Sequence, residues 1–303
     1  MPDICLAGTG GMLPLKNRYL TSLYCEHNGK ALLIDCGEGT QVALKDHGLK
    51  LSRIGTILIT HCHADHIAGL PGLLLSVGNC SRTNPIDIVM PESAVPVIRN
   101  LLSICGGLPY DIFLFSLSEK KISSFSGGKI DPMLEISAIP LKHRIPCMGY
   151  SLLFKKRPEF LPEKARSLGI PVNLWKQLHS GKSAEFGGRL VYPSEVTGEP
   201  RPPIKITYVT DTLPFDGIAE FARGSDLLIH EGMYGDLSKR DSMNEKKHSL
   251  MQDACAAAVD SGSKRLWLTH YSPAEKDPSV YDEDMKKIFP GTVISRDGEK
   301  ISL

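Results

Sequence analysis

The chain has 303 residues, enough to bury a sizeable core as one large domain or two modest ones. Lys and Arg number 35 against 34 Asp and Glu, a net charge of +1, so a nucleic-acid partner cannot be read from net charge and must come from local clustering. Hydrophobic residues make up 42%, as in a globular protein; no apolar run approaches the roughly 20 residues of a membrane span, and "MPDICLAGTGG" lacks the basic start and apolar core of an export signal.

Along the chain, short apolar runs alternate with helical patterns. "ALLID" (31–35), "TILIT" (56–60), "IDIVM" (86–90), "EISAIP" (135–140), "KITYVT" (205–210), "DLLIH" (226–230) and "RLWLT" (265–269) are short, β-branched and nearly continuous, as strands buried on both faces are. Residues 39–47, 93–105, 216–223, 249–259 and 282–289 read as helices; in 249–259, Leu250, Met251, Ala254, Cys255 and Ala258 share one face. Strands interleaved with helices predict an α/β architecture.

One stretch breaks this rhythm. Residues 155–203 hold 7 of the 21 prolines and nine Lys or Arg against five Asp or Glu, so the rest of the chain is net negative. Between two core strands this reads as a basic arm projecting from the body of a single domain spanning 1–303; by composition alone, a solvated surface insertion is an equal reading. The eight cysteines form no C-x-x-C pair and read as reduced thiols of a cytoplasmic protein.

The densest chemistry lies in "ITHCHADHIAGLPG" (59–72). On an extended backbone His61 and His63 share a side and Cys62 points away, so Cys62 reads as packing. Asp65 and His66 follow as the chain turns into a helix. Imidazole and carboxylate at this density suit Zn²⁺, with Mn²⁺ or Fe also compatible. Further ligands must come from elsewhere, and His143, Asp211 and His270 each stand just past an apolar run, where α/β sheets place functional residues. Asp35, after another such run, reads as a brace for the metal loop or as a turn carboxylate bonding its own backbone. His230 reads as a buried structural histidine; His27, His47 and His179 read as surface or packing; Trp267 reads as core, and Trp175 has no assignable role. His248, in "NEKKHS", reads by itself as an exposed histidine.

"THCHADH", an aspartate after a strand and late histidines together resemble the metallo-β-lactamase superfamily. The resemblance implies an αββα sandwich with two metals, His61, His63 and His143 holding one, Asp65, His66 and His270 the other, and Asp211 bridging them. "LAGTGGMLPLKNR" (6–18), "LLIDCGEGTQVAL" (32–44), "DHIAGLPGLL" (65–74), "LLIHEGMYG" (227–235) and "KHSLMQDA" (247–254) are similar to motifs of the ribonuclease Z family, the tRNA 3′-processing endonucleases. That likeness implies two Zn²⁺ per subunit and a metal-bridged hydroxide that attacks the phosphodiester of precursor tRNA and leaves a 3′-hydroxyl. It makes Asp65, His248 and Glu231 catalytic, with Asp65 orienting the hydroxide and His248 protonating the leaving oxygen. It gives Lys155, Lys156, Arg157, Lys164 and Arg166 of the arm a role in gripping the tRNA backbone, and Lys16 and Arg18 a role at the acceptor end. It also implies a homodimer; the lack of a long apolar run is what leaves no membrane partner expected. Ala64 and Thr210 stand where the family commonly has glycine, and Tyr19 where asparagine is frequent. The alternatives are a phosphodiesterase, arylsulfatase or thioesterase of the same fold acting on small substrates, or a non-enzymatic RNA-binding protein that keeps a structural metal.

Overall fold

A computed structural model describes residues 1–303 and divides into two compact units: Met1–Leu152 with Lys205–Leu303, and Leu153–Ile204. The larger unit contains two seven-stranded mixed sheets.

The first sheet is built from β1 (Asp3–Gly8), β2 (Ser22–His27), β3 (Lys30–Ile34), β4 (Ile54–Leu58), β5 (Ile86–Pro91), β6 (Ile112–Leu117) and the last strand, β16 (Glu299–Ser302). Its order is β16-β1-β2-β3-β4-β5-β6. From β16 to β3 the neighbours run antiparallel, and from β3 to β6 they run parallel. Asn28 and Gly29, both at positive φ (51° and 74°), form the two-residue turn between β2 and β3, the left-handed pair a tight hairpin demands. The parallel half needs crossovers instead. They are α1 (Thr40–Asp46), then α2 (Ala64–Ile67) with α3 (Leu70–Gly78), then α4 (Val95–Leu102).

The second sheet contains β7 (Ser123–Ser126), β8 (Leu134–Leu141) and β9 (Cys147–Lys156), followed by β12 (Arg201–Val209), β13 (Leu227–Glu231), β14 (Leu266–Thr269) and β15 (Thr292–Ile294). Its order is β15-β14-β13-β12-β9-β8-β7, with β12 to β15 parallel. The crossovers are α7 (Asp216–Ala222), α8 (Arg240–Lys246) with α9 (Met251–Ser261), and α10 (Asp282–Ile288).

Helices cover the outer face of each sheet. Ala31, Leu33, Ile57 and Ile88 pack with Ala43, Leu44, Leu73 and Leu74; Val209, Leu228 and Leu268 pack with Ile218, Met251, Ala254 and Met285. Truncating one such leucine to alanine costs about 2–5 kcal/mol. Two fully buried tyrosines bond from the second sheet to the first side of the sandwich. Tyr208 Oη pairs with Thr21 Oγ1 at 2.9 Å, and Tyr150 Oη donates to the Ile59 carbonyl at 2.7 Å. The layers therefore run helix, sheet, sheet, helix, the αββα sandwich expected from the sequence.

All seven apolar runs form strands, displaced by a few residues at their ends. The sequence reading missed the other nine strands, among them β1 and β2, whose "DICLAG" and "SLYCEH" mix charge and thiols, the ten-residue β9, and the edge strand β6, whose Phe113 and Phe115 point outward and hide the alternation.

The smaller unit has its own core. Ala165, Ile170, Leu178, Ala184, Val191 and Val196 are buried together, with Phe160, Leu174, Trp175 and Phe186 against them. They come from α5 (Pro162–Ser167), α6 (Val172–His179) and the hairpin β10 (Ala184–Phe186) to β11 (Arg189–Val191), which turns on Gly187 and Gly188 at positive φ. The Arg166 guanidinium bonds Glu163 and lies 5.6 Å from the Trp175 ring centroid, while Lys155, Arg157 and Lys164 are exposed.

Candidate metal centre and active site

Strand ends gather the site. β4 stops at Leu58; His61 and His63 follow on extended chain, and α2 then delivers Asp65 and His66. In the second sheet, parallel register pairs Val209 with His230 and Glu231 with Thr269, so Asp211, Glu231 and His270 emerge side by side at the carboxyl ends of β12, β13 and β14. His143 leaves the end of β8, and His248 lies between α8 and α9.

Three groups of donors able to hold a metal ion result. They are His61, His63, His143 and Asp211; Asp65, His66 and His270; and Asp211, Glu231, His248 and His270, each with donor atoms within 4.8 Å of one another. All seven residues expected to be ligands thus meet in one place. Within the first group, His63 Nδ1 is 3.0 Å from His61 Nε2 and 3.2 Å from His143 Nε2. Within the second, His66 Nε2 is 3.1 Å from His270 Nε2, and Asp65 Oδ2 is 3.4 Å from the latter. Ligands about 2.0–2.1 Å from a tetrahedral zinc stand roughly 3.3 Å apart, so these separations fit donors shared by one cation.

Outer contacts fix the rings. Asp35 accepts the Thr60 amide through Oδ1, and the Thr60 hydroxyl and His66 Nδ1 through Oδ2, each at 2.8 Å. His66 Nε2 is thereby turned inward. Asp35 has a left-handed backbone (φ 60°), and its carboxylate bonds Thr60 and His66 and not its own turn, so it braces the metal loop. His143 Nδ1 donates to the Lys247 carbonyl at 3.0 Å. His61 Nδ1 faces Thr60 Oγ1 at 3.1 Å and Cys147 Sγ at 3.5 Å.

Charge divides the cluster. Burial and the neighbouring positive rings push His61 below its ordinary pKa, and burial is the largest cause for His63 and His143 as well. Neutral imidazole is the form a metal requires. At His66 and His270 burial also disfavours the proton, but Asp211 and the other carboxylates outweigh it; His66 is held well above its ordinary value and His270 at about 10. Burial opposes the charge on Asp65 and Asp211 too, yet the surrounding histidines hold both well down.

Glu231 Oε1 accepts the amides of Thr212 and Ser249 at 2.7 and 3.0 Å, and its Oε2 accepts His248 Nδ1 at 2.8 Å. His248 is only 9% exposed, not the surface histidine its flanking lysines suggest, and its Nε2 has no protein partner. His230 is buried, with Nδ1 on the Glu231 carbonyl, a structural histidine as expected. Lys16 is exposed. Arg18 is not free in the same way: its guanidinium donates to the carbonyls of Ser272, Glu275 and Lys276 at 3.3, 2.8 and 2.9 Å. Sequence reasoning missed Cys147 beside His61, and the Met12 amide, which donates to Asp65 Oδ2 at 2.6 Å. The glycine run before Met12 was the only signal of so close an approach.

The ribonuclease Z of Clostridium acetobutylicum is 42% identical over 299 residues, covering 98% of this chain and 96% of that protein. The ribonuclease Z of Agathobacter rectalis is 41% identical over 303 residues, covering 100% and 98%. The crystal structure of the short form of human tRNase Z superposes with a TM-score of 0.69 at 25% identity, covering 99% of this chain and 98% of that one. The metallo-β-lactamase fold protein YhfI of Bacillus subtilis, at 16% identity and a TM-score of 0.69 over 99% and 98% of the two chains, shares the fold. The family model described as Anti-Pycsar protein Apyc1 matches residues 2–156, the half that carries the glycine loop and the first histidines. The chain belongs to the ribonuclease Z family, on the metallo-β-lactamase fold, and through residues 2–156 to the Anti-Pycsar protein Apyc1 family as well.

Proposed function

We propose that this chain is the metal-dependent endoribonuclease that removes the 3′ trailer from precursor tRNA, with two zinc ions per subunit. The observation that carries the metal assignment is the placement of Asp211. Its Oδ2 stands 3.8 Å from His61 Nε2 and 3.7 Å from His143 Nε2, and its Oδ1 stands 3.3 Å from both His66 Nε2 and His270 Nε2. Each oxygen faces a different set of rings, as a bridging carboxylate does. His61, His63 and His143 would hold one zinc, Asp65, His66 and His270 the other, and Asp211 both.

When bound, the ions supply Lewis acidity, bringing the pKa of water toward about 7 and offsetting charge on the phosphate. The protein orients the nucleophile and supplies the proton for the leaving group. Asp65, kept ionised, orients the attacking oxygen, and the proton that water loses passes to solvent as that oxygen adds to phosphorus. The bond from phosphorus to the ribose 3′-oxygen breaks, and that oxygen needs a proton to leave. His248 Nε2 gives it, while Glu231 holds Nδ1 and favours the charged ring. The products are a tRNA with a 3′-hydroxyl and a trailer with a 5′-phosphate.

Lys155, Lys156, Arg157 and Lys164 of the inserted unit contact tRNA phosphates, positioning without reading sequence. Lys16 meets the single-stranded acceptor end, which is reachable where duplex is not. The full-length identity to ribonuclease Z proteins supports this reading, inserted unit included. The same likeness supports a cytoplasmic homodimer, which light scattering would check. The deciding experiment is incubation of the zinc-loaded protein with a 3′-extended precursor tRNA, followed by mapping of both product ends. A 3′-hydroxyl on the tRNA and a 5′-phosphate on the trailer are expected; an uncut precursor or a 3′-phosphate would reject the assignment.

A further inference from the structure

One carboxylate near the carboxyl terminus ties both ends of a loop at the site. Asp297 Oδ1 accepts the Thr9 amide at 2.8 Å and the Thr9 hydroxyl at 2.7 Å, while its Oδ2 accepts the Tyr19 amide at 2.5 Å. Thr9 and Tyr19 are the two stems of loop 10–18, and the Gly10 amide joins them by donating to the Tyr19 carbonyl at 2.9 Å. The loop closes on itself where Leu15 and Arg18 exchange backbone bonds at 3.1 and 3.2 Å.

Beyond the stems, the inner anchors of the loop lead to the metal cluster. The Gly11 amide donates to the Tyr271 carbonyl, and the Tyr271 amide to the Thr9 carbonyl, both at 2.9 Å and next to His270. Arg18 fastens the segment that follows through the carbonyls of Ser272, Glu275 and Lys276. Gly11 has no space for a side chain, since a Cβ there would lie 2.7 Å from His270 Cε1. At the inner end the Met12 amide donates to Asp65 Oδ2 at 2.6 Å. Met12 takes φ 66°, a strained conformation for its residue type, while its side chain is 49% exposed. Strain of this kind persists only where the surroundings over-determine it.

We propose that Asp297 is a positioning residue for hydrolysis, holding Thr9 and Tyr19 so that the Met12 amide orients Asp65 toward the cation it shares with His66 and His270. The inference rests on the metal assignment proposed above. Burial raises the Asp297 carboxyl above its ordinary pKa, and its three donors offset part of that cost.

The test compares wild type with Asp297→Asn, which keeps the shape but cannot accept all three donors. Zinc affinity is measured by competition with a chromogenic chelator, turnover with bis(4-nitrophenyl) phosphate, and the melting temperature of the metal-free protein alongside. Partners that orient a metal ligand are worth about 10- to 100-fold in affinity or activity, so a loss of about tenfold in zinc affinity and in kcat is expected, with KM little changed. A lower melting temperature with wild-type zinc affinity and kcat would overturn the inference and leave Asp297 a purely structural clasp. If Asp297→Asn does not fold, Thr9→Val, which removes only the hydroxyl contact, must lower both quantities in the same direction, and unchanged values would overturn the proposal. Wild-type protein that binds no zinc at all would instead overturn the metal assignment beneath it.

Discussion

His248 Nδ1 stands 2.8 Å from Glu231 Oε2, and the two groups shift each other's protonation in opposite directions. Burial disfavours both charges, but the His248 proton holds Glu231 down at about 2, and the Glu231 charge lifts His248 above 6.5. The lowered Glu231 contributes to stability above its ordinary 4.5 and loses that contribution as pH falls toward 2; the raised His248 contributes below 6.5 and loses it as pH rises through its folded value. If His248 is the proton donor, His248→Ala leaves the zinc bound and slows a single turnover by about 100- to 10,000-fold. Glu231→Gln removes the charge that lifts the ring, so the alkaline fall of kcat begins at lower pH. Zinc lost from His248→Ala would make it a ligand, and an unmoved alkaline limb in Glu231→Gln would break the pairing.

Asp211 is the next test, because its two oxygens face different ligand sets. Asp211→Asn keeps the shape and deletes the charge that five buried imidazoles surround. Cleavage should fall by about a thousandfold or more, and dialysed protein should lose metal by elemental analysis. A variant that stays metal-replete and cuts near the wild-type rate would rule out the bridging role.

The inserted unit closes its own small core around Leu178 and Val191. Deleting residues 158–198 therefore removes a self-contained body. Hydrolysis of a small phosphodiester should survive within a few-fold, while precursor-tRNA processing weakens and loses most of its salt dependence, since each phosphate contact contributes about one unit to the log–log salt slope. Equal loss of both activities would mean that these residues support the fold and not the substrate.

These expectations were legible to different depths. His61, His63, Asp65 and His66 announce themselves because ligand density past a buried strand has no packing explanation. His143, Asp211 and His270 are marked by where apolar runs stop. Their supports are not marked. Asp297 sits in "SRDGE", which reads as an ordinary turn, and its bond to Thr9 spans 288 positions that only the folded sheet order brings together. Arg18 looked like a phosphate ligand because sequence shows charge but not the three carbonyls that occupy it. In β1 and β2 the apolar signal is diluted by Asp3, which is exposed, by Glu26 and His27, which are half-buried, and by the buried thiols of Cys5 and Cys25.

Metal binding itself carries a proton signature. Without a cation, His66 and His270 hold protons at neutral pH, the latter with a pKa of about 10, because carboxylates outweigh the burial penalty. His61, His63 and His143 are neutral for the opposite reason. Zinc needs the lone pair on the inward nitrogen of every ring, so loading the site expels the protons of His66 and His270 and takes none from the other three. Net proton release should accompany zinc loading near pH 7. Apparent zinc affinity should therefore rise with pH, as the protons that compete with the metal become easier to remove. Zinc titrations by calorimetry, repeated in buffers of different ionisation enthalpy, measure that release directly. A release near zero would mean that His66 and His270 are already neutral, and that Asp35, Asp65, Asp211 and Glu231 do not dominate the field in which the metal binds.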